Sequence, residues 1–228
     1  LAWIAQQVNN GTKFEGKTVV LSKNICLGGH EWTPIGGAKF FDGTFDGNGK
    51  IVGDFKVTEQ DGRAGLFGNA RATIKNLTIN ASGERAINVI QGATNVTIDN
   101  VTATAANYTV NVASSAPEAV VAIKNSTLNG LCTVNVSAAG AKVTVDNSTV
   151  NCNDNNTTAG ESYAALSLNK DAVGGSIVAT GSTINVTEGS DSKKGRNGAE
   201  NGTVIINGST DDVDVIVAVI TYEGSVYY

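Results

Sequence analysis

The chain has few aromatic, charged and sulfur-containing residues. Of its 228 residues, 6% are aromatic and 16% are charged, and it has 2 prolines and no methionine. No run of about 18 apolar residues occurs, so we expect no membrane span in this sequence. Glycine, valine, isoleucine, threonine and asparagine dominate instead, with 27 glycines alone. This composition favours β-strands and turns over helices.

Residue types that often carry chemistry are also scarce. The one histidine, His30, has no serine or cysteine partner in a recognisable motif, so neither a zinc site nor a Ser-His-Asp triad is indicated. The net charge is −5 and the basic stretch at 193–196 is short, which argues against nucleic-acid binding. We therefore expect no metal, no cofactor and no nucleic-acid partner.

Four copies of one phrase indicate the architecture. Each places an asparagine after alternating apolar and polar residues and a threonine two positions later: 73–79, 97–102, 122–128 and 144–150. The asparagines, Asn76, Asn100, Asn125 and Asn147, are 24, 25 and 22 residues apart. That period is too short for a propeller blade, and the copies lack the leucines of a leucine-rich repeat. The sequence therefore predicts an all-β parallel solenoid with one phrase per coil.

The asparagines are predicted to occupy corners. Val96 and Ile98 face one side of a strand, and Val101 resumes the same side only if Asn100 turns the chain. Asparagine tolerates the left-handed conformation that such a corner requires. In coils stacked about 4.8 Å apart, the amides of Asn76, Asn100, Asn125 and Asn147 would be placed to form a structural ladder.

The residues before these asparagines alternate in sign: Lys75, Asp99, Lys124 and Asp146. On successive coils they would form an outward column of attracting charges. Exposed pairs of this kind contribute only about 0 to 1 kcal/mol each, so we interpret the column as an aid to register and solubility rather than as a catalytic cluster.

Two weaker copies, at 178–184 and 205–210, extend the series and imply inserted loops. One loop is predicted at 153–160, where all residues are small or polar. A second is predicted at 188–198, extending to about 203, because it has no apolar side chain to anchor it. Cys132 and Cys152 are 20 residues apart, close to one coil, so a disulfide or two buried free thiols would fit; the free thiols are favoured.

The first residues predict a short amphipathic helix. Leu1, Ile4, Ala5 and Val8 share one helical face, and the sequence Asn-Asn-Gly ends the pattern. A helix at this place would cover the open end of a solenoid core. We therefore interpret residues 1–16 as a cap.

The segments that follow carry a resemblance to a known family. The order of helix, GKTVVLSKNICLGG, WTPIG, FDGTFDGNGKI, GLFG and IKNLTI resembles right-handed β-helix proteins with GLUG-type repeats. These are surface or secreted proteins of gut-dwelling Gram-negative bacteria, often classed as adhesins. The resemblance covers about residues 1–79; beyond them only a generic pectin-lyase-like coil pattern continues. Cys26 departs from the family, which commonly has aspartate there.

The resemblance implies a single-stranded right-handed parallel β-helix at the cell surface or secreted, with any export signal outside these residues. We expect one domain, 1–228, comprising the cap (1–16), GLUG-like coils (17–75), regular coils (76–210) and C-terminal strands (211–228). The pectin-lyase-like fold also hosts polysaccharide lyases and glycoside hydrolases, so an enzyme remains an alternative, as does a purely structural stalk.

No catalytic set emerges from the sequence. Asp42 and Asp46 are the best acidic candidates, but their Asp-Gly steps predict turns. Asp211, Asp212 and Asp214 fit the solvated side of a strand. The sequence favours a non-catalytic module that contacts a polysaccharide, a cell-surface glycan or a protein, in an oligomeric state that we leave open. Candidate ligand contacts are Trp32, Asp42, Asp46, Tyr108 and Tyr163, and the other aromatics considered are Tyr222, Tyr227 and Tyr228.

Overall fold

Successive coils of the chain stack through parallel strand pairs. The computed structural model describes residues 1–57, 63–154 and 163–216, and the backbone of 220–222 and 225–227. Across these residues the strands form a parallel β-solenoid of about seven coils, preceded by one short helix. The predicted all-β parallel solenoid is confirmed. Most of the predicted loop at 153–160 lies outside the described residues. The side chains of the three C-terminal tyrosines also lie outside them.

The solenoid has three faces. The first precedes the asparagine corner and contains β1 (Thr18–Val20), β8 (Val120–Lys124), β11 (Lys142–Asp146), β14 (Ser176–Thr180) and β17 (Thr203–Ile206). The second follows the corner and contains β2 (Ile25–Glu31), β9 (Thr127–Gly130), β12 (Thr149–Cys152) and β15 (Thr183–Val186). Three longer strands turn the corner and serve both faces: β3 (Thr44–Lys56), β4 (Thr73–Ala81) and β6 (Asn95–Thr104).

The third face is a separate sheet. It contains β5 (Arg85–Val89), β7 (Tyr108–Val112), β10 (Val134–Val136), β13 (Ala164–Leu168), β16 (Lys193–Asn197) and β18 (Val213–Val215). The last two strands, β19 (Ile220–Tyr222) and β20 (Ser225–Tyr227), pair antiparallel with each other.

Alternate residues of the strands point into a continuous apolar core. On the first face, one register position stacks seven buried side chains: Phe45, Ile74, Ile98, Ile123, Val145, Ala179 and Ile206. In the early coils phenylalanines fill the interior, and the rings of Phe45 and Phe67 meet edge to face at 5.2 Å. Because similar apolar side chains stack at the same position of successive coils, each coil buries its apolar side against its neighbours.

The helix is present as the sequence predicts. α1 (Ala2–Asn9) buries Ala5 and Val8 in the core at the start of the solenoid, and Leu1 and Ile4 pack against it. Asn9 fixes its end, because its Nδ2 donates to the Pro34 carbonyl at 3.1 Å and its Oδ1 accepts from the Gly37 amide at 2.8 Å.

All four corner asparagines adopt the left-handed conformation, with φ between 46° and 53°. The Nδ2 of Asn100 donates to the Oδ1 of Asn76 at 2.9 Å, which is one rung of a ladder. The Nδ2 of Asn125 donates instead to the Oδ1 of Asp99, at 2.8 Å. The corner is therefore held by mixed amide and carboxylate contacts, and the longest asparagine ladder among the described residues lies on another face.

Substitution of Asn100 separates the two contributions of a corner residue. Asn100→Gly removes the amide but keeps access to its φ of 53°. Asn100→Ala also removes the amide, but it keeps a Cβ in the left-handed region without the short polar side chain that lets asparagine adopt this conformation. We expect the alanine variant to be about 1 kcal/mol less stable than the glycine variant, measured as the free energy of unfolding in urea. Equal stabilities would contradict a backbone role for this asparagine.

The alternating charges stack in register. Lys75 pairs with Asp99, Asp99 with Lys124 and Lys124 with Asp146 along the first face. Asp46 extends this column, with its Oδ2 at 3.4 Å from the Lys75 Nζ.

The second predicted loop needs correction. The segment 188–198 contains a strand, β16, which pairs with both β13 and β18. Its inward positions are Gly195 and Asn197, both buried. The strand therefore joins the core without an apolar side chain, and the absence of such an anchor was not evidence for a loop.

Candidate functional site

Asparagines of the third face form the longest amide ladder among the described residues. The Nδ2 of Asn111 donates to the Oδ1 of Asn88 at 3.1 Å, and that of Asn135 donates to the Oδ1 of Asn111 at 2.8 Å. Asn169 adds a further rung, with its Nδ2 at 2.9 Å from the Oδ1 of Asn135. The two central amides, of Asn111 and Asn135, each donate to one neighbour and accept from the other, so the ladder fixes these side chains in one orientation.

This ladder forms part of a groove on the outer surface of the third face. The groove has a volume of about 530 Å³, and the residues that line it include Arg63, Arg85, Tyr108, Asn111, Asn135 and Asp171. The lining thus combines amides and hydroxyls with two guanidinium groups, one phenol and one carboxylate. Such a surface offers many hydrogen-bond donors and acceptors, which suits a polar ligand.

Arg85 and Tyr108 both line the groove and contact each other. They occupy paired positions of β5 and β7, and the guanidinium carbon of Arg85 lies 5.4 Å from the centre of the Tyr108 ring. This distance is within the range of a cation–π contact. Burial and the neighbouring Cys132 raise the pKa of the Tyr108 hydroxyl, against the opposing effect of Arg85. Tyr108 is therefore a neutral phenol at physiological pH, able to stack and to donate.

Of the five predicted ligand contacts, Tyr108 alone lines this groove. Trp32 is buried, with its Nε1 donating to the Leu66 carbonyl at 3.3 Å, and it lines a separate groove of about 620 Å³ beside α1, together with Trp3. Tyr163 is exposed, and its backbone amide donates to the Oδ2 of Asp154.

Both predicted aspartates are engaged in contacts within the fold. The Oδ1 of Asp42 accepts from the Phe14 amide at 2.7 Å, and its Oδ2 lies 3.5 Å from the Lys13 Nζ. The Oδ1 of Asp46 accepts from the Asn48 amide at 2.8 Å and from the Nδ2 of Asn76 at 3.1 Å. The hydrogen bond from the Asn48 amide is the largest cause that lowers the pKa of Asp46, and the bond from Asn76 and the nearby Lys75 lower it further. Burial acts in the opposite direction and offsets only part of this lowering. Each carboxylate is therefore committed to local structure.

The cysteines and the histidine do not converge on a metal-binding set. All three cysteines are free thiols; Cys26 is exposed, and Cys132 and Cys152 are buried. Burial raises the pKa of both buried thiols. His30 is exposed in β2. In the part of the chain that the structure describes, no group of three or more His, Cys, Asp or Glu residues is placed to hold a metal ion.

Sequence reasoning missed the third-face ladder, although a signal was present. The tripeptides Ile-Asn-Val, Val-Asn-Val and Val-Asn-Val place Asn88, Asn111 and Asn135 at intervals of 23 and 24 residues. An asparagine between two inward-facing aliphatic residues, repeated at the coil period, predicts a ladder on a strand face.

Comparisons with family models, with curated proteins and with solved structures find no match. None of the described helices is long and apolar enough to cross a membrane.

Proposed function

We propose that this protein is a non-catalytic β-solenoid module that contacts a glycan through the groove of the third face. The observation that carries the proposal is the groove itself, where the asparagine ladder meets the Arg85–Tyr108 pair. Sugars bind proteins through hydroxyls that meet amides and through ring faces that meet aromatic side chains. Both kinds of group are held in place here by contacts within the protein.

The charges of the groove favour an acidic sugar. Two guanidinium groups, from Arg63 and Arg85, and one carboxylate, from Asp171, are among the described lining residues. The planar guanidinium group matches a carboxylate in size and hydrogen-bonding geometry. A glycan that carries uronate groups is therefore the best match for this surface.

Binding without cleavage is supported by where the acidic groups lie. Glycoside hydrolysis generally needs two carboxylates about 5 to 10 Å apart across the scissile bond. Asp171 is the one carboxylate among the described residues that line the groove. Asp42 and Asp46 are engaged elsewhere, in hydrogen bonds from the backbone amides of Phe14 and Asn48.

A location at the cell surface or outside the cell, in the manner of an adhesin, is part of the proposal. It is supported by the resemblance of residues 1–79 to GLUG-type β-helix proteins, with the parallel solenoid in agreement. A repetitive, rigid solenoid also presents an extended surface to a polymer, as repeat proteins commonly do.

Variants of the groove test this proposal. We expect the wild-type protein to be retarded in native gels that contain polygalacturonate. Tyr108→Ala and Arg85→Gln should each weaken this binding about tenfold or more, because they remove the stacking face and the cation. Trp3→Ala, on exposed α1, and Lys142→Gln, on the first face, are the matched controls and should change it by less than about twofold.

Equal effects of the groove and control variants would place the binding elsewhere and contradict the assignment of the groove. No retardation of the wild-type protein by polygalacturonate or by any neutral glycan would favour the structural stalk instead.

A further inference from the structure

The second face carries a regular polar array that the groove does not include. Five consecutive coils repeat the pattern Thr-X-Asn or Thr-X-Thr, with X buried. The threonines pair in register from coil to coil: Thr78, Thr102, Thr127, Thr149 and Thr183. All five point outward and are at least partly accessible. They form a straight column of hydroxyl and methyl groups with a step of about 4.8 Å.

A second column runs beside the first, two residues further along each strand. Its members are Asn80, Thr104, Asn129, Asn151 and Asn185, again paired in register. Alternate residues of a strand are about 7 Å apart, and five rows extend about 19 Å, so the two columns form a narrow rectangular array.

Hydrogen bonds fix much of this array. The Nδ2 of Asn185 donates to the Oδ1 of Asn151 at 2.8 Å, and that of Asn151 donates to the Oδ1 of Asn129 at 2.7 Å. Asn129 in turn donates to the Thr104 Oγ1 at 3.2 Å. The threonines are β-branched and therefore have few rotamers in a strand. Little side-chain entropy is lost when a ligand binds to such a surface.

The array is uncharged, in contrast to its surroundings. None of its ten positions carries a charged residue, whereas the column from Asp46 to Asp146 on the adjacent first face alternates in sign. A charged polymer would lose hydration here without gaining a counter-charge. An uncharged ligand with many hydroxyls would instead meet a donor or acceptor in every row.

We propose that the second face binds an uncharged, extended β-1,4-linked polysaccharide that lies along the solenoid axis, with about one sugar per coil. The step between rows is close to the length of one sugar in such a chain. Successive sugars of a β-1,4-linked chain face opposite ways, so equivalent hydroxyls can meet equivalent side chains in every second row, at the first, third and fifth of the five rows. The inference rests on the proposed function only in that the ligand is a glycan; the face, the residues and the charge of the ligand are different.

Two cellulose derivatives with the same backbone isolate the effect of ligand charge. Hydroxyethylcellulose is neutral and carboxymethylcellulose is acidic. In native gels we expect the wild-type protein to bind the neutral polymer at least about tenfold more tightly than the acidic one. Dextran, which is neutral but not β-1,4-linked, should bind no better than the acidic polymer.

Triple valine variants locate the binding. Thr102→Val, Thr127→Val and Thr149→Val together remove three hydroxyls of the array while keeping shape and strand propensity. This variant should lose about tenfold or more in affinity for hydroxyethylcellulose. The matched control changes three outward threonines of the first face: Thr73→Val, Thr97→Val and Thr144→Val. It should keep its affinity within about twofold, with circular dichroism and thermal unfolding confirming that both variants fold.

The outcomes separate this inference from the proposed function. Binding to polygalacturonate that depends on Tyr108, without binding to hydroxyethylcellulose, would overturn the inference and leave the groove proposal standing. Binding to neither polymer would overturn both. Hydroxyethylcellulose binding that is lost in Tyr108→Ala but kept in the second-face variant would overturn the inference, because the groove would then take the neutral glycan. Self-association in sedimentation that the second-face variant abolishes, without glycan binding, would also overturn it.

Discussion

Replacing Gly36 by alanine is expected to prevent stable folding. Gly36 has φ of +84°, and a Cβ built there would lie 2.4 Å from the backbone oxygen of Asn69 in the next coil. Neither atom can move freely, because the Asn69 oxygen accepts the Phe41 amide and the flanking Ile35 accepts the Gly68 amide. Strain and overlap together should cost more than about 4 kcal/mol, a large part of the stability of an ordinary domain. Urea unfolding followed by circular dichroism measures this loss.

Gly92→Ala is the matched control. Gly92 also has a positive φ, +75°, but nothing lies within 4 Å of a Cβ built there. It should lose only about 1 kcal/mol, from backbone strain alone. Similar losses at the two glycines would show that the close approach of coils at Gly36 does not limit stability.

Asn111→Ala is expected to cost about 3 kcal/mol, because two buried partners lose their contacts. The Oδ1 of Asn88 would lose its donor at 3.1 Å, and the Nδ2 of Asn135 would lose its acceptor at 2.8 Å. Asn88 is fully buried and Asn135 is only 4% exposed, where it lines the groove, so water can replace little of the missing amide. The free energy of unfolding in urea checks this value.

Asn185→Ala provides the comparison for this ladder. Asn185 is also an asparagine in a strand, but it is exposed and its amide makes one bond, to Asn151. We expect a loss below about 1 kcal/mol, since water can satisfy both groups. If Asn111→Ala cost no more than Asn185→Ala, the third-face ladder would not be a source of stability.

The repeat period made the solenoid predictable. Asn76 and Asn100 appear in nearly identical phrases, and corner geometry restricts which residues can stand there, so the local sequence is sufficient. Asn88 and Asn111 lie in shorter phrases on another face, where any outward residue is sterically allowed. Their ladder depends on the stacking of coils rather than on a backbone requirement.

The strand β16 shows why the C-terminal half was harder to predict. Gly195 and Asn197 occupy its inward positions, and the Nδ2 of Asn197 donates to the Gly202 carbonyl at 2.9 Å. A hydrophobic pattern cannot detect a strand whose interior side is a glycine and a hydrogen-bonded amide. The outward residues of the strand are polar as well, so its sequence shows no alternation of apolar and polar residues.

The candidate site was predictable only in part. Trp32 and Tyr108 are both aromatic residues in polar segments, and nothing local separates them. Trp32 is buried against Leu66 from the coil that follows it, whereas Tyr108 lines a groove beside Arg85. Exposure is decided by contacts between coils, with sequence separations of 23 to 34 residues in these two cases.

Titration calorimetry with polygalacturonate, followed by sizing of the recovered polymer, measures both the binding and any cleavage of an acidic glycan. We expect reversible binding by the wild-type protein, strongly reduced binding by Tyr108→Ala, and a polymer of unchanged length after prolonged incubation. A shortened polymer with new reducing ends or unsaturated uronides, lost in Asp42→Asn or Asp46→Asn variants that remain folded, would contradict a non-catalytic function. Absence of binding by the wild-type protein would contradict the assignment of the groove to an acidic glycan.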